Sequence, residues 1–181
     1  MNKIKALMYS TTIIVPDLDE SDELFREFYG KPAGYDKPKP GEARGPLILD
    51  PLEAVYLLEL GKLEVYKSSG DPVNYDELVK WARERIPRFD MLYPVYKDLR
   101  NRGFVVRSGL KYGSDFTVYR YGPGIDHSPY IVHSYPGKYT IDPVEIVKAG
   151  RLSHTVRKTF ILSITGSESD VIYLMFKWFK P

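Results

Sequence analysis

Hydrophobic residues recur at helical spacing in five segments of the chain. In each segment, apolar positions three or four residues apart line one side of the predicted helix, and a glycine or proline ends most of these segments. The pattern predicts helices over residues 19–30, 50–61, 74–87, 91–103 and 142–156.

Two of these helices have well-defined starts. Asp50 is a typical N-cap with Pro51 at the first helical position. Asp142 and Pro143 repeat that arrangement, and Glu145 three residues after the cap predicts a capping box.

Alternating apolar and polar residues predict strands elsewhere. One strand, 62–67, follows the second helix, and the second half of the chain contains strand patterns over 104–109, 115–122, 128–135, 157–164 and 171–180. The segment 31–46 is rich in proline, glycine and charge, which predicts an exposed loop without regular structure.

These elements predict an α/β (α+β) fold in two domains. Pro87 interrupts the third helix, and we place the boundary there. Residues 1–86 then form a small mixed α/β domain, and residues 87–181 form a compact α/β domain.

Composition narrows the class of protein. No apolar run approaches the roughly 20 residues that a membrane span needs, and the N-terminus lacks the features of a secretory signal, so we expect a cytoplasmic protein. The chain contains no cysteine, which excludes disulfides, thiolate metal sites and a cysteine nucleophile.

The net charge is only +2, but from residue 103 onward ten Lys/Arg stand against six Asp/Glu. The second half is therefore the basic one.

A tyrosine and a histidine stand on either side of the Gly-Pro-Gly turn in "DFTVYRYGPGIDHSPYIVH". Strand alternation places Tyr119 on the face opposite Phe116 and Val118. His127 follows the turn, where we expect it to be accessible, and an imidazole there is a candidate general acid because it exchanges protons near neutral pH. A surface histidine without a role is the alternative.

A cluster of basic residues follows in "RLSHTVRK". Arg151, His154, Arg157 and Lys158 lie at the predicted end of a helix and the start of the next strand. Cations beside a tyrosine and a histidine suit a phosphate ligand. The alternative is that these residues only complement the helix dipole.

The same motifs carry a family resemblance. "LKYGSDFTVYRYGPGIDHSPYIVH", "RLSHTVRKTFILSI" and "YLMFKWFKP" resemble, in this order, the C-terminal catalytic domain of the archaeal tRNA-splicing endonuclease family. The likeness covers about residues 107–181, and "EAVYLLELGKLEVY" resembles the family's N-terminal domain. The resemblance implies a nuclease-like second domain with a central mixed sheet.

The resemblance also implies a catalytic subunit and roles for three residues. Tyr119 falls on the general base, His127 on the general acid and Lys158 on the group that stabilises the transition state. The implied reaction needs no metal or other cofactor and leaves 2′,3′-cyclic phosphate and 5′-hydroxyl ends.

The implied substrate is precursor tRNA with a bulge-helix-bulge motif. Arg151 and Trp178 fall on the pair that grips a bulged base, although many relatives have arginine at the second position. The implied assembly is an α2β2 heterotetramer with a second, structural subunit, and a homo-oligomer is the alternative. The last strand and an acidic loop with Glu168 and Asp170 would form its contacts.

Three other interpretations stay open at this point. A non-catalytic RNA-binding or structural subunit would keep the fold without cleavage. A metal-dependent nuclease would use Asp115 and Glu145 with a lysine. A zinc site from His127, His133 and His154 has no compact ligand spacing to support it.

Overall fold

The computed structural model describes residues 3–36, 38–138, 140–166 and 170–176. The chain divides into two compact units, Met1–Phe89 and Asp90–Pro181. Each unit combines helices with one mixed sheet, so the predicted α+β class is confirmed. No helix in these described ranges is long and apolar enough to cross a membrane.

The first unit contains a six-stranded sheet. Its strands are β1 (Ile4–Met8), β2 (Ile13–Val15), β3 (Lys31–Pro32), β4 (Leu47–Leu49), β5 (Leu63–Lys67) and β6 (Pro72–Val73). Their order across the sheet is β3-β4-β2-β1-β5-β6, with β1 and β5 parallel and the other neighbours antiparallel. Aliphatic side chains of these strands, among them Ala6, Ile13 and Leu63, are buried in the core.

Three helices accompany this sheet, namely α1 (Leu18–Arg26), α2 (Pro51–Glu59) and α3 (Tyr75–Arg83). The predicted start of α2 is confirmed, because Asp50 is its N-cap and Pro51 its first residue. Glu53 completes a capping box by accepting a hydrogen bond from the Asp50 N–H at 3.0 Å. Its carboxylate also accepts from the Gly30 N–H at 2.9 Å, which gives this buried acid a second backbone partner.

The segment 31–46 is more regular than predicted. Lys31–Pro32 pairs with β4, and the Ala33 N–H donates to the Pro46 carbonyl at 2.9 Å. The prediction of a loop without regular structure is therefore wrong at its first residues. Local composition did not reveal this pairing because β4, which supplies the backbone partners, lies outside the segment.

The second unit contains a five-stranded mixed sheet. Its strands are β7 (Val105–Ser108), β8 (Phe116–Tyr119), β9 (Tyr130–Pro136), β10 (Thr159–Thr165) and β11 (Val171–Phe176). The order is β11-β10-β9-β8-β7. β9 and β10 run parallel, and the other neighbours are antiparallel.

Two helices cover opposite faces of this sheet, α4 (Phe89–Asn101) and α5 (Pro143–Thr155). On the α5 face, Ile131, Phe160 and Leu162 form a buried cluster against which α5 residues such as Leu152 pack. On the other face, the Tyr96 ring of α4 lies 6.3 Å from the Phe116 ring. The sheet is thus the middle layer of this unit.

The start of α5 is only partly as predicted. Asp142 is the N-cap and Pro143 the first residue, but the Asp142 carboxylate accepts from the Val144 N–H. The Glu145 N–H donates instead to the Asp142 carbonyl at 2.9 Å. The predicted capping box is therefore wrong, and Glu145 Oε2 is buried without a hydrogen-bond partner in the part of the chain that the structure describes.

The end of α5 is a Schellman motif. The Lys158 N–H donates to the Ser153 carbonyl at 2.9 Å, and the Arg157 N–H donates to the His154 carbonyl at 3.2 Å. Arg157 occupies the position where glycine is usual, and its φ is 53°. This left-handed residue turns the chain directly into β10, with Lys158 between helix and strand.

A polar contact ties α4 to the edge strand β11. The Tyr173 hydroxyl donates to Asp98 Oδ2 at 2.8 Å, and the Arg102 guanidinium donates to the same oxygen at 2.8 Å. Burial first, and then this hydrogen bond, raise the pKa of Tyr173 far above its usual value.

Arg157→Gly should raise the free energy of unfolding by about 0.5–1 kcal/mol. A left-handed residue with a Cβ costs roughly 1–2 kcal/mol, and the greater freedom of glycine in the unfolded chain offsets part of the gain. Urea unfolding of the full chain measures the difference. Arg157→Ala removes the same charge but keeps the Cβ, so equal stabilisation by both variants would contradict the explanation.

Tyr173→Phe should reduce the loss of stability at alkaline pH. An unfolded tyrosine releases its proton near pH 10, whereas the folded state retains it because the pKa of Tyr173 is raised. The free energy of unfolding of the wild type therefore falls as the pH rises above about 10, and the phenylalanine variant loses this contribution. Urea titrations between pH 8 and 11 test it, and equal slopes for the two proteins would count against it.

Candidate active site

The three predicted catalytic residues lie at one edge of the second sheet. Val118 pairs with Tyr130 across β8 and β9, and Tyr130 pairs with Thr159 across β9 and β10. Val118, Tyr130 and Thr159 thus form one row across the three strands. Tyr119 directly follows Val118, Lys158 directly precedes Thr159, and His127 is three residues before Tyr130. We call this edge, where β8 ends and β9 and β10 begin, the site edge.

Register also places Tyr119 and Lys158 on the same face of the sheet. Tyr119 lies on the same face as Thr117, two residues earlier in the strand, and Thr117 pairs with Ile131. Lys158 lies on the same face as Phe160, two residues later, and Phe160 pairs with Ile131 from the other side. This is the face that α5 covers. Two strand spacings put their Cα atoms at about 10 Å from each other, a gap that two long side chains can close around a phosphate.

Lys158 is held at the site edge by Ser128. Its ammonium group donates to the Ser128 carbonyl at 2.7 Å and to the Ser128 hydroxyl, and Ser128 is buried. The lysine nitrogen also lies 4.9 Å from the centre of the Tyr112 ring. Burial lowers the pKa of Lys158, and the positive charge of Lys111 lowers it further.

Asp126 organises the loop that carries His127. Its two carboxylate oxygens accept hydrogen bonds from the Arg120 N–H at 3.1 Å and the Gly122 N–H at 2.8 Å. Gly122 and Gly124 adopt positive φ values of 134° and 86°, which a residue with a Cβ rarely adopts. The loop is therefore tied back to the end of β8, and it presents His127 exposed to solvent.

The side chains of Tyr119 and His127 keep their hydrogen-bonding capacity. Tyr119 is half-buried and His127 is exposed. Among the residues that the structure describes, neither side chain makes a hydrogen bond or an ion pair. Both can therefore bond to a ligand at the site edge without breaking an existing contact.

An open groove of about 700 Å³ lies beside Lys158. His154, Arg157 and Lys158 line it, together with Pro129 and Phe176. The groove thus combines basic groups with an aromatic ring, a composition that suits nucleic acid.

The predicted RNA-binding residues are only partly accounted for. Arg151 is exposed on α5, one turn before His154. Trp178 lies outside the described residues, as does Glu168 of the predicted acidic loop. The predicted pairing of Arg151 with Trp178 stays a prediction.

Two residues of the alternative metal sites, Asp115 and His133, have other partners. Asp115 accepts a hydrogen bond from the Ser134 N–H at 2.7 Å and lies 3.6 Å from His133 Nδ1. The His133 ring also packs against Tyr135, with 5.1 Å between ring centres. Within the described ranges, no group of three histidine, aspartate or glutamate side chains is placed to hold a metal ion.

Sequence reasoning did not single out Ser128, Lys111 or Tyr112. Ser128 contacts a lysine 30 residues away, so no local spacing reports the contact. Lys111 and Tyr112 lie in a short 3-10 helix, Leu110–Tyr112, that was not predicted. The one sequence feature that could have pointed to Ser128 was its position directly after His127.

Comparison with known families accounts for both units. Residues 4–79 match the tRNA intron endonuclease N-terminal domain, and residues 89–173 match the tRNA intron endonuclease catalytic C-terminal domain.

Individual relatives match over nearly their whole length. The tRNA-splicing endonuclease of Hyperthermus butylicus is 49% identical over 180 residues, which cover 98% of this chain and 99% of the relative. The tRNA-splicing endonuclease of Saccharolobus solfataricus is 43% identical with the same coverage, and that of Saccharolobus islandicus is 41% identical. The chain therefore belongs to the tRNA intron endonuclease family and carries both its N-terminal domain and its catalytic C-terminal domain.

Proposed function

We propose that this protein cleaves precursor tRNA at the intron–exon junctions of a bulge-helix-bulge motif, without a metal ion, and leaves 2′,3′-cyclic phosphate and 5′-hydroxyl ends. Family membership supports cleavage of RNA. One geometric observation carries the residue roles. Tyr119 and Lys158 lie on the same face of the sheet, on either side of the start of β9, and His127 is in the loop that enters that strand.

The proposed reaction uses the RNA's own nucleophile. Tyr119 removes the proton of the 2′-hydroxyl, and the 2′-oxygen forms a bond to the adjacent phosphorus. The bond between phosphorus and the 5′-oxygen breaks, and His127 gives its proton to that departing oxygen. The cyclic phosphate and the 5′-hydroxyl result, and no oxidant or second substrate is consumed.

Lys158 is suited to stabilise the charge that develops on the phosphate. A lysine ammonium has three N–H groups, and Ser128 accepts two of them. The third is left to donate to a non-bridging phosphate oxygen. Because Ser128 is buried, it fixes the ammonium before the substrate arrives, and such preorganised charge accounts for much of enzymatic rate enhancement.

The basic groups near the site edge are suited to bind the RNA around the cut. Arg151 and Trp178 would stack on the bulged base, because guanidinium and indole planes both stack on nucleobases. The groove that His154 and Arg157 line would accept the neighbouring backbone.

Two cuts in one motif require two active sites, so the proposed enzyme is an oligomer. β11 is an edge strand of its sheet, and Ile172, Leu174 and Met175 on it are 60%, 45% and 49% exposed. Such an edge is a ready surface for pairing with another subunit. We propose an α2β2 heterotetramer with a structural subunit, and a homo-oligomer is the alternative. The acidic loop with Glu168 and Asp170 would add a charged contact.

Cleavage of a bulge-helix-bulge RNA in excess chelator tests the chemistry. We expect cutting to cyclic-phosphate ends by the wild type, in the presence of a candidate structural subunit. His127→Ala should slow the cleavage step about 10²–10⁴-fold because the leaving oxygen loses its acid, and Tyr119→Phe should slow it to a similar extent. Lys158→Ala should cost about 10²–10³-fold.

The outcomes separate the competing functions. Lys138→Ala, two residues beyond the opposite end of β9, is the control and should cleave as the wild type does. Cleavage that requires a divalent metal would refute the Tyr119, His127 and Lys158 mechanism. Binding of RNA without cleavage under every condition would identify a non-catalytic RNA-binding subunit.

Leu174→Glu should disrupt the proposed assembly. A carboxylate on an apolar edge strand opposes burial against another subunit. Light scattering should therefore show a smaller species than the wild type, with reduced cleavage at equal chain concentration. Lys138→Ala again serves as the matched control. Cleavage by the chain alone, without a second subunit, would favour the homo-oligomer.

A further inference from the structure

A second lysine lies close to Lys158. The ammonium group of Lys111 is 5.6 Å from the centre of the Tyr112 ring, and that of Lys158 is 4.9 Å from the same centre. Within the described residues, no carboxylate pairs with either lysine. Two positive charges therefore share one aromatic ring without a negative partner.

The ring that both lysines contact is held in place. Tyr112 packs against the buried cluster of Ile131, Phe160 and Leu162. The Tyr112 N–H donates to the Gly109 carbonyl at 2.8 Å, which closes the 3-10 helix. Lys111 is thus attached to a fixed support, and its exposed side chain lies over the ring that also contacts Lys158.

Both ammonium groups lie within 6 Å of one ring centre, and like charges repel each other. An anion that both can reach removes the repulsion. The placement of Lys111 therefore has a use when a phosphate is bound. Lys111 also lies in the last turn of the three-residue 3-10 helix, but so short a helix has only a small dipole for its charge to balance.

We propose that Lys111 is a substrate-binding residue that contacts the phosphodiester backbone of the RNA at the cut, together with Lys158. This inference rests on the proposed function and adds a residue to it. Lys111 supplies a backbone contact that is independent of base sequence, and it leaves the proton transfers to Tyr119 and His127.

Salt dependence of binding tests the proposal directly. The probe is a bulge-helix-bulge RNA with 2′-deoxy sugars at both cut sites, which lacks the nucleophile. For Lys111→Ala, the slope of log Kd against log salt should fall by about 0.7–0.9, the amount expected for one lost phosphate contact. Lys111→Arg should keep the wild-type slope, and Lys138→Ala should keep it as well.

The pH dependence of single-turnover cleavage gives a second readout. The charge of Lys111 lowers the pKa of Lys158, so Lys111→Ala should move the alkaline limb of the profile to higher pH, while Lys111→Arg leaves it in place. Tyr112, His154 and Arg157 lie near Lys158, and Tyr119 and His127 share the site edge with it. All five are retained in both variants. A melting temperature equal to that of the wild type verifies that each Lys111 variant is folded.

The possible results are distinct. If the wild type cleaves and Lys111→Ala keeps the wild-type salt slope, the inference about Lys111 is overturned and the proposed function stands. If the wild type neither binds nor cleaves the RNA with or without a partner subunit, both are overturned. If the wild type cleaves and the slope falls for Lys111→Ala but not for Lys111→Arg or Lys138→Ala, both are supported.

Discussion

The parallel pairing of β9 with β10 is the constraint on which the site edge depends. The Thr159 N–H donates to the Pro129 carbonyl at 2.8 Å, where the two strands begin. Parallel neighbours need a crossover, and α5 returns the chain to the edge from which β9 started. Lys158 therefore arrives beside Ser128, although 30 residues separate them. An antiparallel hairpin would have placed the lysine at the other end of the sheet, away from His127.

The backbone around this edge is constrained near each predicted catalytic side chain. Arg157 is left-handed so that α5 can turn into β10 across three residues, 156–158, and Asp126 ties the His127 loop to the end of β8. Lys158 in turn depends on the buried Ser128. Rigid presentation of this kind reduces the reorganisation that a reaction would otherwise require.

Sequence patterns were most informative where the relevant interactions are local. Capping residues predicted the starts of α2 and α5, and alternation predicted β7 to β11, because caps and alternation depend on neighbours within a few residues. Short strands such as Ile13–Val15 and the edge strand Lys31–Pro32 depend on distant partners and were not predicted. The same limit applies to the site. Tyr119, His127 and Lys158 were predicted from their motifs, whereas the contacts of Lys158 with Ser128 and Tyr112 follow only from the tertiary structure.

The parallel crossover also determines when the full set of groups can come together during synthesis. Tyr119 and His127 are translated about 30 to 40 residues before Lys158, and β8 can pair with β9 as soon as both have emerged. The lysine reaches the site edge only after α5 has formed and β10 has docked, which is a non-local and comparatively slow step. A partly synthesised chain therefore holds an incomplete set of these side chains, and the complete set exists only on the folded molecule.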